Sequence, residues 1–410
     1  MADGTIATER AAVPLHVPEK LVLPFDFYSD PAFLTDPYSV IERQRDASPR
    51  IYYSPTHYML PGCWVLTRAD DIRHVLQHPD LFSSAGQVSF SQLIGERWDL
   101  IPLELDPPTH SAFRGLLNPL FSPQQINKLD AGMRASAIKL IDEARGQKGV
   151  EFISAFAHPF PVSVFLQLLG LPLEEMPIFL KWNEGLIRSF SLETRRDAMR
   201  SMVSYLRGTI EARRKTPSND LISFAVHASL DDRALTEDEI IGICFLLFIG
   251  GLDTVAASLG FHFRHLATHP ELQARLRADR SLIPNAIEEF LRLYSVVSGH
   301  RRVTRDTEVA GVTMKKGDWI TVPTMNASRD PNEFPNPDSF DLERSAARHV
   351  AFAYGVHRCV GSHLARREFQ IALNSWFDEL PPFKLKAGAP VRTIGGAVLG
   401  VSELHLVWSE

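Results

Sequence analysis

Three groups of residues in this chain have types and spacings that could do chemistry. The first is Phe352-Ala353-Tyr354-Gly355-Val356-His357-Arg358-Cys359-Val360-Gly361, a cysteine between two glycines with an aromatic residue seven positions before it. A helical pattern follows from Ser362 to Gln370. Cys359 is therefore expected at a loop-to-helix junction, where backbone N–H groups and the positive end of the helix dipole favour thiolate over thiol. A thiolate is a strong metal ligand, and the glycines let a flat group lie close to the backbone. At this level the alternative is a buried structural thiol.

The second group is Gly250-Gly251-Leu252-Asp253-Thr254. It interrupts a stretch that is apolar on nearly all sides from Ile240 to Leu252. Two glycines inside a helix cost about 1 kcal/mol each relative to alanine. A buried aspartate costs more unless paired, and threonine can bond back to the carbonyl four residues earlier. Three helix-weakening choices in five residues suggest a site, with a packing kink as the alternative. The third group is Glu289 and Arg292, an i,i+3 pair that would be a solvated surface pair in most helices. A competing constellation is His262, His265 and His269, spaced so that three imidazoles could share a helix face and bind zinc. Histidines in a last helical turn also suit the dipole.

The elements that must position these residues are mostly helical. The opening segment, residues 1–25, reads as poorly ordered and then extended, ahead of one domain over 26–410. Helices are expected from Pro37 to Arg45, Ala69 to Gln77, Pro123 to about Lys215 with proline breaks at 159–161 and 171–172, and Pro284 to Tyr294. Thr236-Glu237-Asp238-Glu239 is a capping box, and the helix it starts can run to His269, on the order of 50 Å at ~1.5 Å per residue. Strands are expected at Arg50–Tyr53, Cys63–Leu66, hairpins over Val303–Val322, then Ile394–Gly400 and Leu404–Trp408. Residues 78–108 read as a long loop, with enough apolar side chains to argue against disorder. The fold class is mainly α with a small β region.

The 410 residues carry a net charge of −6, which gives no reason to expect nucleic acid or an anionic membrane. The cysteines are Cys63, Cys244 and Cys359. This odd, sparse set fits a reducing cytosol and excludes a four-cysteine zinc or iron–sulfur site within the chain. The apolar run Ile240–Leu252 is shorter than the roughly 20 residues a bilayer span needs, and the first 20 residues lack a signal-peptide core.

The cysteine loop, the Gly-Gly-Leu-Asp-Thr helix and Glu-x-x-Arg occur in the order and separations of cytochrome P-450 monooxygenases, which the chain resembles from about residue 30 to its end. The likeness is greatest to the camphor-hydroxylating branch of that family, through Gly250–Val255, Lys315–Asp318, Leu364–Glu368 and Leu406–Trp408. The resemblance implies a haem held between the long central helix and the helix after Cys359, with Cys359 as axial iron ligand. It implies that Gly250 and Gly251 leave room for dioxygen, that Thr254 hydrogen-bonds the bound oxygen, and that Asp253 relays protons while held by a basic residue, here Arg188. By the same resemblance, His110, Arg114, Arg301 and His357 would anchor the haem carboxylates. Glu289, Arg292 and Arg344 would form a structural triad.

The pocket departs from the camphor pattern. A tyrosine that donates to a ketone is replaced by Trp98, whose indole N–H could still donate one bond. Leu103 and Ala397 also replace pattern residues. The expected pocket, Trp98, Leu100, Leu103, Leu246, Ile249, Val297, Ala397 and Val398, is apolar and suits a small alicyclic terpenoid such as a monoterpene ketone or ether, or an ionone-like norisoprenoid. The resemblance implies electrons from an iron–sulfur [2Fe-2S] ferredoxin with an NAD(P)H-dependent reductase. Arg114, Arg358 and Arg366 are candidates for meeting such an acidic partner. The rival readings are a histidine-face metal protein and a non-enzymatic haem carrier.

Overall fold

The computed structural model describes residues 11–26, 30–57, 60–189, 191–345 and 348–408. The expectation for residues 1–10 lies outside these. From residue 11 the chain is anchored: Val22 bridges Tyr53, and Leu23 N–H donates to the Tyr53 carbonyl.

The helix Glu237–Thr268 forms the axis of the molecule. Its capping box is complete: Glu239 N–H donates to the Thr236 hydroxyl at 3.2 Å, and Thr236 N–H donates to the Glu239 carboxylate at 2.7 Å. Two orphan donors are satisfied in one exchange. The helix packs against Pro159–Leu168, Leu192–Lys215, Leu221–His227 and Ser362–Glu379, and against the strand Gly400–Trp408. By length and composition it could cross a membrane, which the shorter run Ile240–Leu252 alone did not suggest, yet 67% of its apolar window is buried in protein. It is apolar all round because it is surrounded.

Two β regions flank this helical body. One is a five-stranded sheet in the order Ile51–Ser54, Cys63–Leu66, Trp319–Pro323, Ser298–Val303, Phe82–Ser83. It is antiparallel except where Ile320 lies alongside Trp64. A second apolar core beneath it includes Trp64, Leu66, Ile72, Phe82 and Ile320. The other sheet joins Phe383–Leu385, Gly400–Trp408 and Val391–Ile394, with Gly149–Glu151 added. The regions meet at a bridge between Val297 and Val398 and at Ser298 N–H to the Ala397 carbonyl, 2.9 Å.

Several expected boundaries move. Ile394–Gly400 is not a strand: Gly395 and Gly396 turn the chain there, with φ +128° at Gly396, a backbone conformation glycine alone adopts easily. The strand Gly400–Trp408 is instead continuous. Pro159 does not break a helix but begins one, where its missing N–H costs nothing. The stretch 78–108 contains the short strand Phe82–Ser83 and a 3-10 turn at Phe90–Ile94.

Candidate active site

A single stripe of the central helix is open. Leu246, Ile249, Gly250 and Thr254 are partly or fully accessible, while most of the surrounding positions are buried. Their spacing places them on one helical face. A Cβ on Gly250 would meet nothing within 4 Å, whereas one on Gly251 would press on Phe165 at 3.1 Å. Gly250 therefore opens the stripe and Gly251 serves packing. The Thr254 hydroxyl donates to the Gly250 carbonyl at 3.1 Å.

Asp253 lies beside this stripe, buried. Arg188, at the end of the π-helical turn Glu184–Arg188, places Nη2 2.6 and 2.7 Å from its two carboxylate oxygens. Arg188 Nη1 reaches the Val398 carbonyl at 3.4 Å.

Cys359 follows the 3-10 turn Gly355–His357 and precedes the helix Ser362–Glu379. Its N–H donates to the Phe352 carbonyl at 2.9 Å. Gly355 has φ +68°, and a Cβ there would lie 2.4 Å from the Leu76 carbonyl oxygen, so the loop requires glycine. Cys63 and Cys244 are buried, whereas Cys359 is accessible. Desolvation pushes the thiol up, opposed by the Gly361 N–H and by Arg114, Arg358 and Arg366. This is a thiol surrounded by the groups that stabilise its anion.

Four basic side chains gather near the loop. The rings of His110 and His357 are 4.0 Å apart. Both ring nitrogens of His110 are buried without a hydrogen-bond partner, and burial with Arg114 nearby holds its pKa down at about 4. His357 Nε2 lies 3.1 Å from the Ser84 hydroxyl. Arg301 is buried and donates to the His300 carbonyl at 2.6 Å and to Gln87 Oε1 at 3.3 Å, and desolvation lowers it to about 10. Arg114 donates to the Arg358 carbonyl at 2.6 Å. The acid that bears on His110 and Arg301 is Asp106, which Ser83 and Ser84 already hold. Buried basic groups with so little acidic compensation, two of their nitrogens orphaned, fit a dianionic group such as the two propionates of haem. Together with the thiol loop and the open stripe, the donor set suits that cofactor.

Behind the loop, Glu289 and Arg292 are fully buried and paired at 2.7 and 2.8 Å. Arg344 joins Glu289 at 3.1 Å, and Arg292 also donates to the carbonyls of Ser328, Pro337 and Ser339. The histidine face is not assembled for metal: His262 packs between Phe290 and Phe369, His265 lies 2.8 Å from the Tyr294 hydroxyl, and His269 stacks on His265. Among the described residues no group of three or more His, Cys, Asp or Glu could hold a metal ion.

The expected pocket residues divide. Leu103, Leu246, Ile249, Val297, Ala397 and Val398 retain accessible surface, whereas Trp98 and Leu100 are buried. The Trp98 indole N–H is not free for a ligand. It donates to Glu96 Oε2 at 2.6 Å, and Glu96 in turn is paired with Arg207 at 2.9 and 3.0 Å. Glu96, Glu104, Gln87 and Arg207 escaped sequence reading because they belong to no motif and most of their contacts span 15 to 111 positions. Arg366 is likewise engaged, bound to Glu288 and lying over the Phe352 ring.

Comparison with known proteins agrees with this geometry. The family model "Cytochrome P450" matches residues 164–380. The chain is 41% identical over 403 residues to probable cytochrome P450 127A1 of Sinorhizobium fredii, covering 97% of each. It is 35% identical over 312 residues to pentalenic acid synthase of Streptomyces avermitilis, covering 75% of this chain and 77% of that one. Among solved structures, CYP101J2 superposes with a TM-score of 0.87 at 33% identity, over 98% of this chain and 100% of that one. CYP101C1 does so with 0.88 at 32%, over 97% and 100%. The chain belongs to the cytochrome P450 family, monooxygenases whose haem iron carries a cysteine thiolate.

Proposed function

We propose that this enzyme inserts one oxygen atom of dioxygen into an unactivated C–H bond of a small alicyclic terpenoid, with Cys359 as the residue whose thiolate would hold the haem iron. The observation that carries the reading is the open stripe of Gly250 and Thr254 on a buried helix, with Asp253 held beside it by Arg188. Bound haem supplies dioxygen activation and the oxidation of the C–H bond. The chain supplies what surrounds it. Cys359 gives up its proton and keeps the negative charge, aided by the Gly361 N–H and three arginines. His110, Arg114, Arg301 and His357 bind the carboxylates. Thr254 offers a hydroxyl that can leave the Gly250 carbonyl to donate toward the stripe, and Asp253 moves protons to that side by loosening from Arg188.

The substrate reading rests on the pocket. Leu103, Leu246, Ile249, Val297, Ala397 and Val398 offer no polar grip, and the Trp98 N–H is committed to Glu96. A ketone or ether oxygen is therefore tolerated rather than gripped by Trp98, which favours compact terpenoids, camphor or ionone-like compounds among them. The similarity to pentalenic acid synthase supports this class. Electrons would come from a [2Fe-2S] ferredoxin and its NAD(P)H-dependent reductase in the cytosol. Arg358 is exposed on the thiolate loop beside exposed Tyr354 and Val356, a surface suited to an acidic partner.

The test is spectroscopic. Titration of the ferric protein with monoterpene ketones, monoterpene ethers and ionones should shift the haem band. Response to aromatic acids or fatty acids alone would overturn the substrate class, and a reduced carbon monoxide complex without the thiolate signature would overturn the ligand.

A further inference from the structure

The loop that carries Trp98 is held by two carboxylates of very different character. Glu104 is buried. Its Oε1 accepts the N–H groups of Val88 and Ser89, both at 2.8 Å, and its Oε2 accepts that of Leu100 at 3.0 Å. Three N–H bonds to one buried carboxylate make a fixed point, because releasing any of them leaves a buried polar group unpaired. Close by, Ile101 N–H meets the Gly242 carbonyl at 3.4 Å, and a Cβ on Gly242 would lie 2.2 Å from the Asp99 carbonyl oxygen. This end of the loop is pinned to the central helix.

Glu96 is the opposite case. It stands at the outer edge, partly exposed, and accepts from Trp98 and from both terminal nitrogens of Arg207 on the helix Leu192–Lys215. Arg207 Nε lies 3.4 Å from Glu237, at the start of the central helix, and Arg214 lies 3.8 Å from the same carboxylate. A second tie crosses the same gap, Arg196 Nε to the Leu93 carbonyl at 3.2 Å. Exposed pairs of this kind are weak and screened by salt. A loop fixed at one end and weakly tied at the other opens at the weak end.

We propose that Glu96 is a positioning residue that governs ligand access: paired with Arg207 it clasps the loop over the pocket, and through the indole N–H it seats Trp98 against Phe245. The ring centroids of Trp98 and Phe245 are 5.2 Å apart in an edge-on contact, so the seat is shared with the central helix. Releasing Glu96 therefore frees the loop edge and the Trp98 ring together. The inference rests on the haem-slot reading above, since the pocket it closes is the one beside Gly250.

Stopped-flow binding of 4-phenylimidazole to the ferric protein, read by the nitrogen-ligation shift of the haem band, tests the clasp without knowledge of the native substrate. In the unaltered protein, association and dissociation should both quicken roughly two- to fivefold from low to high salt. Glu96→Gln and Arg207→Gln should be fast at all salt concentrations, and Glu96→Arg combined with Arg207→Glu should restore slow, salt-sensitive binding. Glu96→Gln keeps an acceptor for the indole, whereas Glu96→Ala removes it. Of the two single substitutions at Glu96, only Glu96→Ala should therefore also change the equilibrium affinity. Rates independent of salt and of both single substitutions would overturn the clasp, and equal affinities in Glu96→Gln and Glu96→Ala would overturn the seating of Trp98. If the unaltered protein showed no thiolate signature and no imidazole shift, the haem-slot reading itself would fall.

Discussion

Arg188 Nη2 sits 2.6 and 2.7 Å from the two carboxylate oxygens of Asp253, closing a pair between residues 65 positions apart. It places a charge inside an apolar helix next to Thr254 and satisfies it from outside that helix. Asp253→Asn should keep the haem spectrum yet slow product formation on the order of 100-fold, the scale of a lost proton-transfer group. Turnover with a ferredoxin system measures this. Arg188→Ala should destabilise the protein by less than the ~3–5 kcal/mol of a fully buried pair, because 20% of the Arg188 side chain is exposed. Urea denaturation reads that difference.

Thr254→Ala should leave ligand binding unchanged and divert reducing equivalents to peroxide. The Thr254 hydroxyl bonds only to the Gly250 carbonyl of its own helix turn among the described contacts, so its loss costs little stability. The ratio of product to peroxide per reductant consumed is the measurement. Unchanged coupling would mean that this hydroxyl has no part in handling oxygen.

Glu289→Ala should be far more damaging to the fold than its i,i+3 spacing with Arg292 suggests. Both side chains are fully buried, and Arg292 also holds three carbonyls of the segment leading into the cysteine loop. Removing one partner of a buried pair costs about 3–5 kcal/mol. The variant should lose haem at temperatures the parent tolerates, followed as decay of the haem band.

His262 gives an acid-stability prediction with a definite sign. Burial between Phe290 and Phe369 lowers its pKa from 6.5 to about 3. Below pH 6.5 the unfolded chain binds a proton there that the folded chain refuses until about pH 3. Its contribution is therefore intact above pH 6.5 and is lost as pH falls, at up to about 1.4 kcal/mol per pH unit. His262→Leu should flatten the acid side of the stability curve in urea titrations between pH 4 and 7 by about that slope. A curve parallel to the parent's would show that His262 does not titrate on unfolding.

Much of the site was legible because its signals are local. The cysteine loop, the capping box at Thr236 and the weak segment at Gly250–Thr254 each state their geometry within a few residues. The pocket loop was not legible. Trp98 advertises an indole donor, but Glu96 consumes it, and Arg207 fixes Glu96 from 111 positions away. Apolar content misled at Ile394–Gly400, where Ala397 and Val398 belong to a glycine turn that meets the other sheet. Arg366 carries a surface charge in sequence terms, yet Glu288 neutralises it.

The Glu104 carboxylate holds its loop through the N–H groups of Val88, Ser89 and Leu100. Every residue except proline has such a group. The path of the anchored end is therefore encoded in its backbone and in one acid, and side chains there other than Glu96 and Trp98 can change without losing that anchor. Descendants of this sequence could change what they oxidise by substitutions along 88–100 while inheriting the haem slot and the loop's path unaltered.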